Sequence, residues 1–240
     1  MLNELLLVAS IFVIYGATIL FYRVHGLQGL YSWTVFATIA ANIEVLILID
    51  AFGMEQTLGN VMFASSFLVT DIISEIYGKK AANKAVNIGI MISLMFIVVS
   101  QLWLQFQPSA NDWAMPSIQA IFSNTPRLML VSFLVYAVCQ RLDVWLYHKW
   151  WSFTDNKYAN HRKYLWLRNN GSTLISQLIN TILFNVGAFA GMYDFKTLVS
   201  IIAAGYIIYI VTSLADTPFV YWARKIADNL GENTESAKTE

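Results

Sequence analysis

Long apolar runs recur along the chain every 30–40 residues or so, each near the ~20 residues a helix needs to cross a bilayer. Seven stand out: Leu5–Tyr22, Leu30–Ile49, Leu58–Tyr77, Ala85–Phe106, Leu128–Tyr147, Thr173–Met192 and Leu198–Tyr221. The pattern predicts an all-α fold, a polytopic helical membrane protein with a six-helix core plus one N-terminal transmembrane helix. Residues 1–227 read as a single transmembrane domain. The first run is the addition, because no strongly polar residue lies in its interior. The stretch Asp228–Glu240 is polar, lacks aromatics and reads as a disordered cytoplasmic tail.

Polar positions inside these runs carry the functional information. Asp71 and Glu75 lie four residues apart near the end of the third run and so share a helix face. An ionised acid at mid-bilayer costs about 2.5–3.5 kcal/mol even on the lenient insertion scale, so such acids mark function unless a neighbour pairs them. Lys79 and Lys80 are candidate partners at the helix end, nearer to Glu75 than to Asp71. In the sixth run Thr173, Gln177, Asn180, Thr181 and Phe184 fall at i, i+4, i+7, i+8 and i+11, making one face polar. With no water in the hydrocarbon, that face turns either to neighbouring helices or to a cavity.

The seventh run repeats the theme with Tyr206, Tyr209, Ser213 and Asp216, then Thr217–Pro218, where a proline can kink the helix and free carbonyls. Asn42 and Glu44 sit inside the second run, two residues apart and facing different ways. Arg127, at the outer end of the fifth run, either snorkels or closes the external mouth against an acid. Arg141 and Asp143 read as a local ion pair nearer the other end.

Composition narrows the class. The chain has 240 residues, of which 57% are hydrophobic, 15% aromatic and 12% charged, against about a quarter charged in soluble domains. Zero net charge argues against a nucleic-acid partner. The single cysteine, Cys139, permits no internal disulfide. His25, His148 and His161 all lie between runs, so no intramembrane metal site is available. With no catalytic or phosphate-binding motif, neither an enzyme nor a cofactor is expected.

Basic residues follow runs one, three, five and seven: Arg23; Lys79, Lys80 and Lys84; Lys149, Lys157, Arg162, Lys163 and Arg168; Arg224 and Lys225. The alternate loops, Asp50–Thr57, Gln107–Thr125 and Tyr193–Thr197, hold only Lys196. The positive-inside rule therefore puts the N-terminus outside and the C-terminus in the cytoplasm. No basic n-region or cleavage site precedes the first run, which reads as a retained span. The segment Trp150–Gly171, basic and aromatic, reads as an interfacial loop on anionic headgroups or as a docking loop for a partner.

The run TDIISEIYGKKA from Thr70, the RNNGSTLISQLINT stretch from Arg168 and the closing Thr217–Pro218–x–x–Tyr221 together resemble the queuosine precursor transporter family, within the vitamin-uptake transporter group. The resemblance spans about Asn42 to Lys225. It implies a multi-pass protein of the bacterial inner membrane that imports 7-cyano- or 7-aminomethyl-7-deazaguanine for queuosine salvage into tRNA. It carries functional roles onto Asn42, Asp71, Glu75, Arg127, Gln140, Asp143, Ser172, Gln177 and Phe184. The chemistry is compatible: a carboxylate such as Asp71 accepts both N–H donors of a guanine-like edge in one fork. Gln177 or Asn180 would donate to its carbonyl, and Phe184, Phe67 or Tyr209 would take its flat face. Two alternatives stand beside this reading. One is a substrate-binding membrane subunit that needs a separate energising module. The other is a transporter of another purine- or vitamin-like solute.

Overall fold

The computed structural model describes residues 1–123, 126–158, 164–189 and 191–231. The elements are α1 (Leu2–Glu44), β1 (Leu48–Ala51), β2 (Met54–Thr57), α2 (Gly59–Trp103), α3 (Met115–Phe122), α4 (Pro126–Tyr158), α5 (Leu165–Phe189) and α6 (Phe195–Leu230). All the helices except α3 are long and apolar enough to cross a membrane. The molecule is a helical membrane protein, as the apolar runs anticipate.

The two longest helices each contain two of the predicted runs. At 1.5 Å per residue a straight 43-residue α1 would reach about 65 Å, twice the ~30 Å hydrocarbon core. It reverses at Gly26, whose φ of 56° and ψ of −139° suit only glycine. The reversal returns the start of α1 to the segment that follows its end. Asn3 Nδ2 donates to the Asp50 carbonyl at 2.8 Å, and the Phe52 amide donates to Glu4 Oε1 at 3.3 Å. Helix α2 turns back in the same way at Gly78 (φ 82°, ψ 180°). Its first half runs parallel to α4, Ser66 meeting Gln140 and Glu75 meeting Tyr147. Its second half runs antiparallel to α4, with Asn87 against Arg141 and Gly89 against Tyr136, and its end reaches α3, where Gln101 donates to the Phe122 carbonyl.

Three boundaries differ from the sequence reading. The second run ends as helix at Glu44, and residues 48–57, read as a helix end and a loop, form an antiparallel hairpin pairing Leu48 with Thr57 and Ala51 with Met54. Its two-residue turn, Phe52–Gly53, has positive φ at both positions (55° and 72°), as tight hairpin turns require. The fifth run continues to Tyr158, and α5 begins at Leu165, so most of Trp150–Gly171 is helix rather than an interfacial loop. The physical reason is packing: Trp151, Thr154, Leu165 and Arg168 are all buried, which headgroup contact would not achieve. Helix α6 continues through Pro218 and ends at Leu230 with Gly231 as a left-handed cap. The remainder of the expected tail, from 232, lies outside the described residues.

The lipid-facing surface is apolar, while the interior holds a polar face of α5 beside an apolar core. Leu5, Phe12, Met91, Leu94, Val98, Ile207 and Val211 are exposed along the helices, whereas α5 buries Arg168, Asn169, Ser172, Thr173, Ser176, Gln177 and Asn180. An apolar core of Leu30, Leu68, Ile72, Ile73 and Ile76 joins α1, α2 and α6.

Candidate functional site

The polar face of α5 organises three stacked layers between α1, α2, α4 and α6. The first is a cavity of about 170 Å³, entered beside the hairpin and lined by Asn42, Asn60, Phe63, Tyr136, Asn180, Phe184 and Tyr209 among others. An engineered apolar cavity of ~150 Å³ takes one benzene ring, so this space admits a small planar molecule. Its polar groups have spare capacity. Asn42 Nδ2 donates to the Thr38 carbonyl at 2.7 Å, whereas its Oδ1 is buried with no hydrogen-bond partner among the described residues. The Tyr209 hydroxyl reaches Asn60 Oδ1 at 3.2 Å and stands beside the Asn180 amide.

A hydrogen-bonded floor separates this cavity from the second layer. Gln140 Nε2 donates to Ser66 Oγ at 2.6 Å, and Thr70 Oγ1 donates to Gln140 Oε1 at 3.3 Å. Below the floor Asp71, fully buried, accepts from Thr173 Oγ1 at 3.0 Å and lies within hydrogen-bonding reach of Asp143. The sequence suggested an Arg141–Asp143 pair. Instead Arg141 reaches outward to Asn87 Oδ1 at 3.2 Å, and Asp143 turns inward beside Ser172, Thr173 and Ser176. Asp216 on α6 accepts from Asn169 Nδ2 at 2.6 Å, and Thr217 accepts from Asn170 Nδ2 at 2.8 Å.

The third layer is ionic. Glu75 accepts from the Tyr147 hydroxyl at 2.7 Å and from Arg168 Nη2, which is 2.9 Å from both carboxylate oxygens; Arg224 Nη1 lies 3.2 Å away. Arg168 also stacks on the Trp151 ring at 4.6 Å. The partners of Glu75 are therefore Arg168 of α5 and Arg224 of α6 rather than Lys79 or Lys80. A carboxylate bracketed by two guanidiniums and a phenol holds α2, α4, α5 and α6 together at one level.

The family described as "Putative vitamin uptake transporter" matches residues 57–223. The chain belongs to that vitamin uptake transporter family. It is also 38% identical over 211 residues, 88% of this chain and 90% of the relative, to the "Probable queuosine precursor transporter" of Bacillus subtilis (strain 168). No solved structure matches the chain. The interval shared with the vitamin uptake transporters takes in all of the second layer and, apart from Arg224, the whole of the Glu75 cluster. Asn42 lies before it.

Of the residues singled out from sequence, Asn42, Asn180 and Phe184 line the cavity. Asp71 and Gln177 lie among the buried groups around the second layer, and Glu75 lies in the third. Arg127 sits apart at the start of α4, where Nε and Nη2 hold the Gly187 carbonyl of α5 at 3.1 and 2.9 Å. Three participants were missed: Arg168 and Arg224, read as loop charges, and Asn60, which follows the hairpin. Arg168 had a signal. Arg168, Ser172, Thr173, Ser176, Gln177 and Asn180 continue the polar period of α5 backwards by more than a turn. Among the described residues no three His, Cys, Asp or Glu side chains converge on a point.

Proposed function

We propose that this chain is a transporter of queuosine precursors, importing 7-cyano- or 7-aminomethyl-7-deazaguanine across the bacterial inner membrane. The observation that carries the reading is the cavity: ring-sized, lined by amides and aromatics, and sealed beneath by the Gln140–Ser66 floor and the Glu75 cluster. The name of the Bacillus relative points to the same solute class. Counting the two halves of α1 and of α2 separately is consistent with seven spans, and the distribution of basic residues supports a reading with the N-terminus and the hairpin outside. The cavity then opens outward and the ionic layer closes the cytoplasmic side, which is one end state of alternating access.

Within this reading Asn42 and Asn180 contact the ring edge first, and Phe184 takes its face. When the Gln140–Ser66 contact separates, Asp71 accepts the paired N–H donors and Gln177 lies alongside. Glu75 and Arg127 fix helices rather than touch the solute. The test is uptake by the purified chain alone in liposomes, with each labelled precursor in turn. Accumulation of at least one, reduced about tenfold or more by Asn180→Ala, is the expected result; one lost hydrogen bond of about 1–3 kcal/mol sets that scale. Absence of uptake for both would remove the proposal.

A further inference from the structure

The buried layer around Asp71 holds more negative charge than its neighbours answer. Asp71, Asp143 and Asp216 come from three helices and act on one another electrostatically, while the nearby cations Arg168 and Arg224 are engaged by Glu75. Asp216 has a donor in Asn169. The other two differ. Both oxygens of Asp143 and Oδ1 of Asp71 are buried and make no hydrogen bond of good geometry among the described residues, although Ser172, Thr173 and Ser176 stand close around Asp143.

Neutral oxygens in the same condition stand next to them. Ser176 Oγ and Gln177 Oε1 are at most 1% exposed and likewise make no hydrogen bond of good geometry among the described residues. Both lie one turn along α5 from Thr173, which donates to Asp71, and Ser176 abuts Asp143. Three buried acid oxygens with Ser176 Oγ beside them, and Gln177 Oε1 a turn along α5, offer oxygen donors of the kind that suits a hard cation. A pair of acids without a counter-charge is expensive inside a bilayer.

We propose that Asp71 and Asp143 together hold one small monovalent cation, a proton or a sodium ion, with Ser176 and Gln177 at its margin. The site is assigned independently of the solute. Joined to the transport reading, it becomes the place where an ion gradient acts on uptake, since Asp71 is also the acid proposed to receive the ring. The titratable or charged groups around the pair are Glu75 on α2, Cys139 and Tyr147 on α4, Arg168 on α5, and Asp216 and Arg224 on α6.

The experiment is thermal melting of the full chain in detergent, with no solute added. One arm titrates sodium chloride against choline chloride at constant ionic strength and fixed pH; the other lowers the pH at constant sodium. A ligand at ten times its dissociation constant stabilises by about a factor of ten, about 1.4 kcal/mol, which is ~3–6 °C for a chain of this size. Wild type is expected to gain that much in one arm, which names the cation. Asp143→Asn and Asp71→Asn are expected to lose the gain. If the sodium arm responds, Asp143→Glu, which keeps a displaced carboxylate, is expected to retain the gain at about tenfold or more weaker apparent affinity.

A wild-type chain indifferent to both arms would overturn the site. So would equal responses from wild type and both asparagine variants or, where sodium is the cation, an unchanged affinity in Asp143→Glu. Uptake in liposomes is read separately, so failure of the solute to move leaves this result standing or falling on its own.

Discussion

Glu75→Gln keeps the size of the side chain but deletes the charge that holds Arg168 and Arg224. In the native structure that carboxylate accepts from Arg168 and Tyr147 and lies 3.2 Å from Arg224, with Glu75 1% and Arg168 0% exposed. Breaking one partner of a buried ion pair costs about 3–5 kcal/mol, because the remaining charges stay buried without compensation. At about 2–4 °C per kcal/mol for a chain of this length, the melting temperature should fall by roughly 6–20 °C. The assay is thermal unfolding of detergent-purified protein, run beside solute binding. A double-mutant cycle with Arg168→Gln separates the pair from its surroundings. Removing both charges should cost clearly less than the sum of the single losses, by about 1 kcal/mol or more. If Glu75→Gln melts within about 2 °C of wild type yet binds no solute, the residue is a ligand and the structural reasoning fails.

Asp71→Ala should abolish binding of a labelled deazaguanine while Asp71→Glu keeps part of it; equal, full uptake by both would take Asp71 out of the path. Phe184→Ala should weaken uptake about tenfold or less, the scale of one aromatic contact, beyond what its lower melting temperature from lost packing explains. Gly78→Ala forces a Cβ onto a backbone region open essentially to glycine alone and should destabilise by about 1–3 kcal/mol, read as a lower melting temperature. At the start of α6, Asp194 accepts from the Lys196 and Thr197 amides and the Thr197 hydroxyl, which hold its carboxyl below the ordinary value of 3.8. Its contribution should therefore be present above pH ~4 and disappear as pH falls through the lowered value. Asp194→Ala should be less stable than wild type at pH 7, the two converging once the pH lies below the lowered value.

The periodic signals were readable because they follow from bilayer physics. The stripe Thr173–Gln177–Asn180–Thr181 had to face inward, and it does, Asn180 and Thr181 lining the cavity. Single-residue reversals at Gly26 and Gly78 were not visible, because each apolar run was read separately and a glycine between them looked like ordinary loop. Charges near helix ends were misjudged for a related reason. Arg168 and Arg224 fit the count of basic residues after odd runs as well as any lysine does. Only tertiary contact shows that both turn inward to Glu75. The reach of α4 to Tyr158 was hidden too, since an aromatic, basic stretch suits an interface as readily as a buried helix end.

The reversals at Gly26 and Gly78 also set the mechanics. Two helices joined by one residue form a bracket whose arms swing or tilt together but have no slack to slide past each other. The play in the backbone lies in the longer connections, 45–58 and 104–114, on the hairpin side. Any opening of the opposite side must then separate whole brackets from α4, α5 and α6, and the Glu75 cluster, which joins α2 to those three helices, is the clasp that must release first.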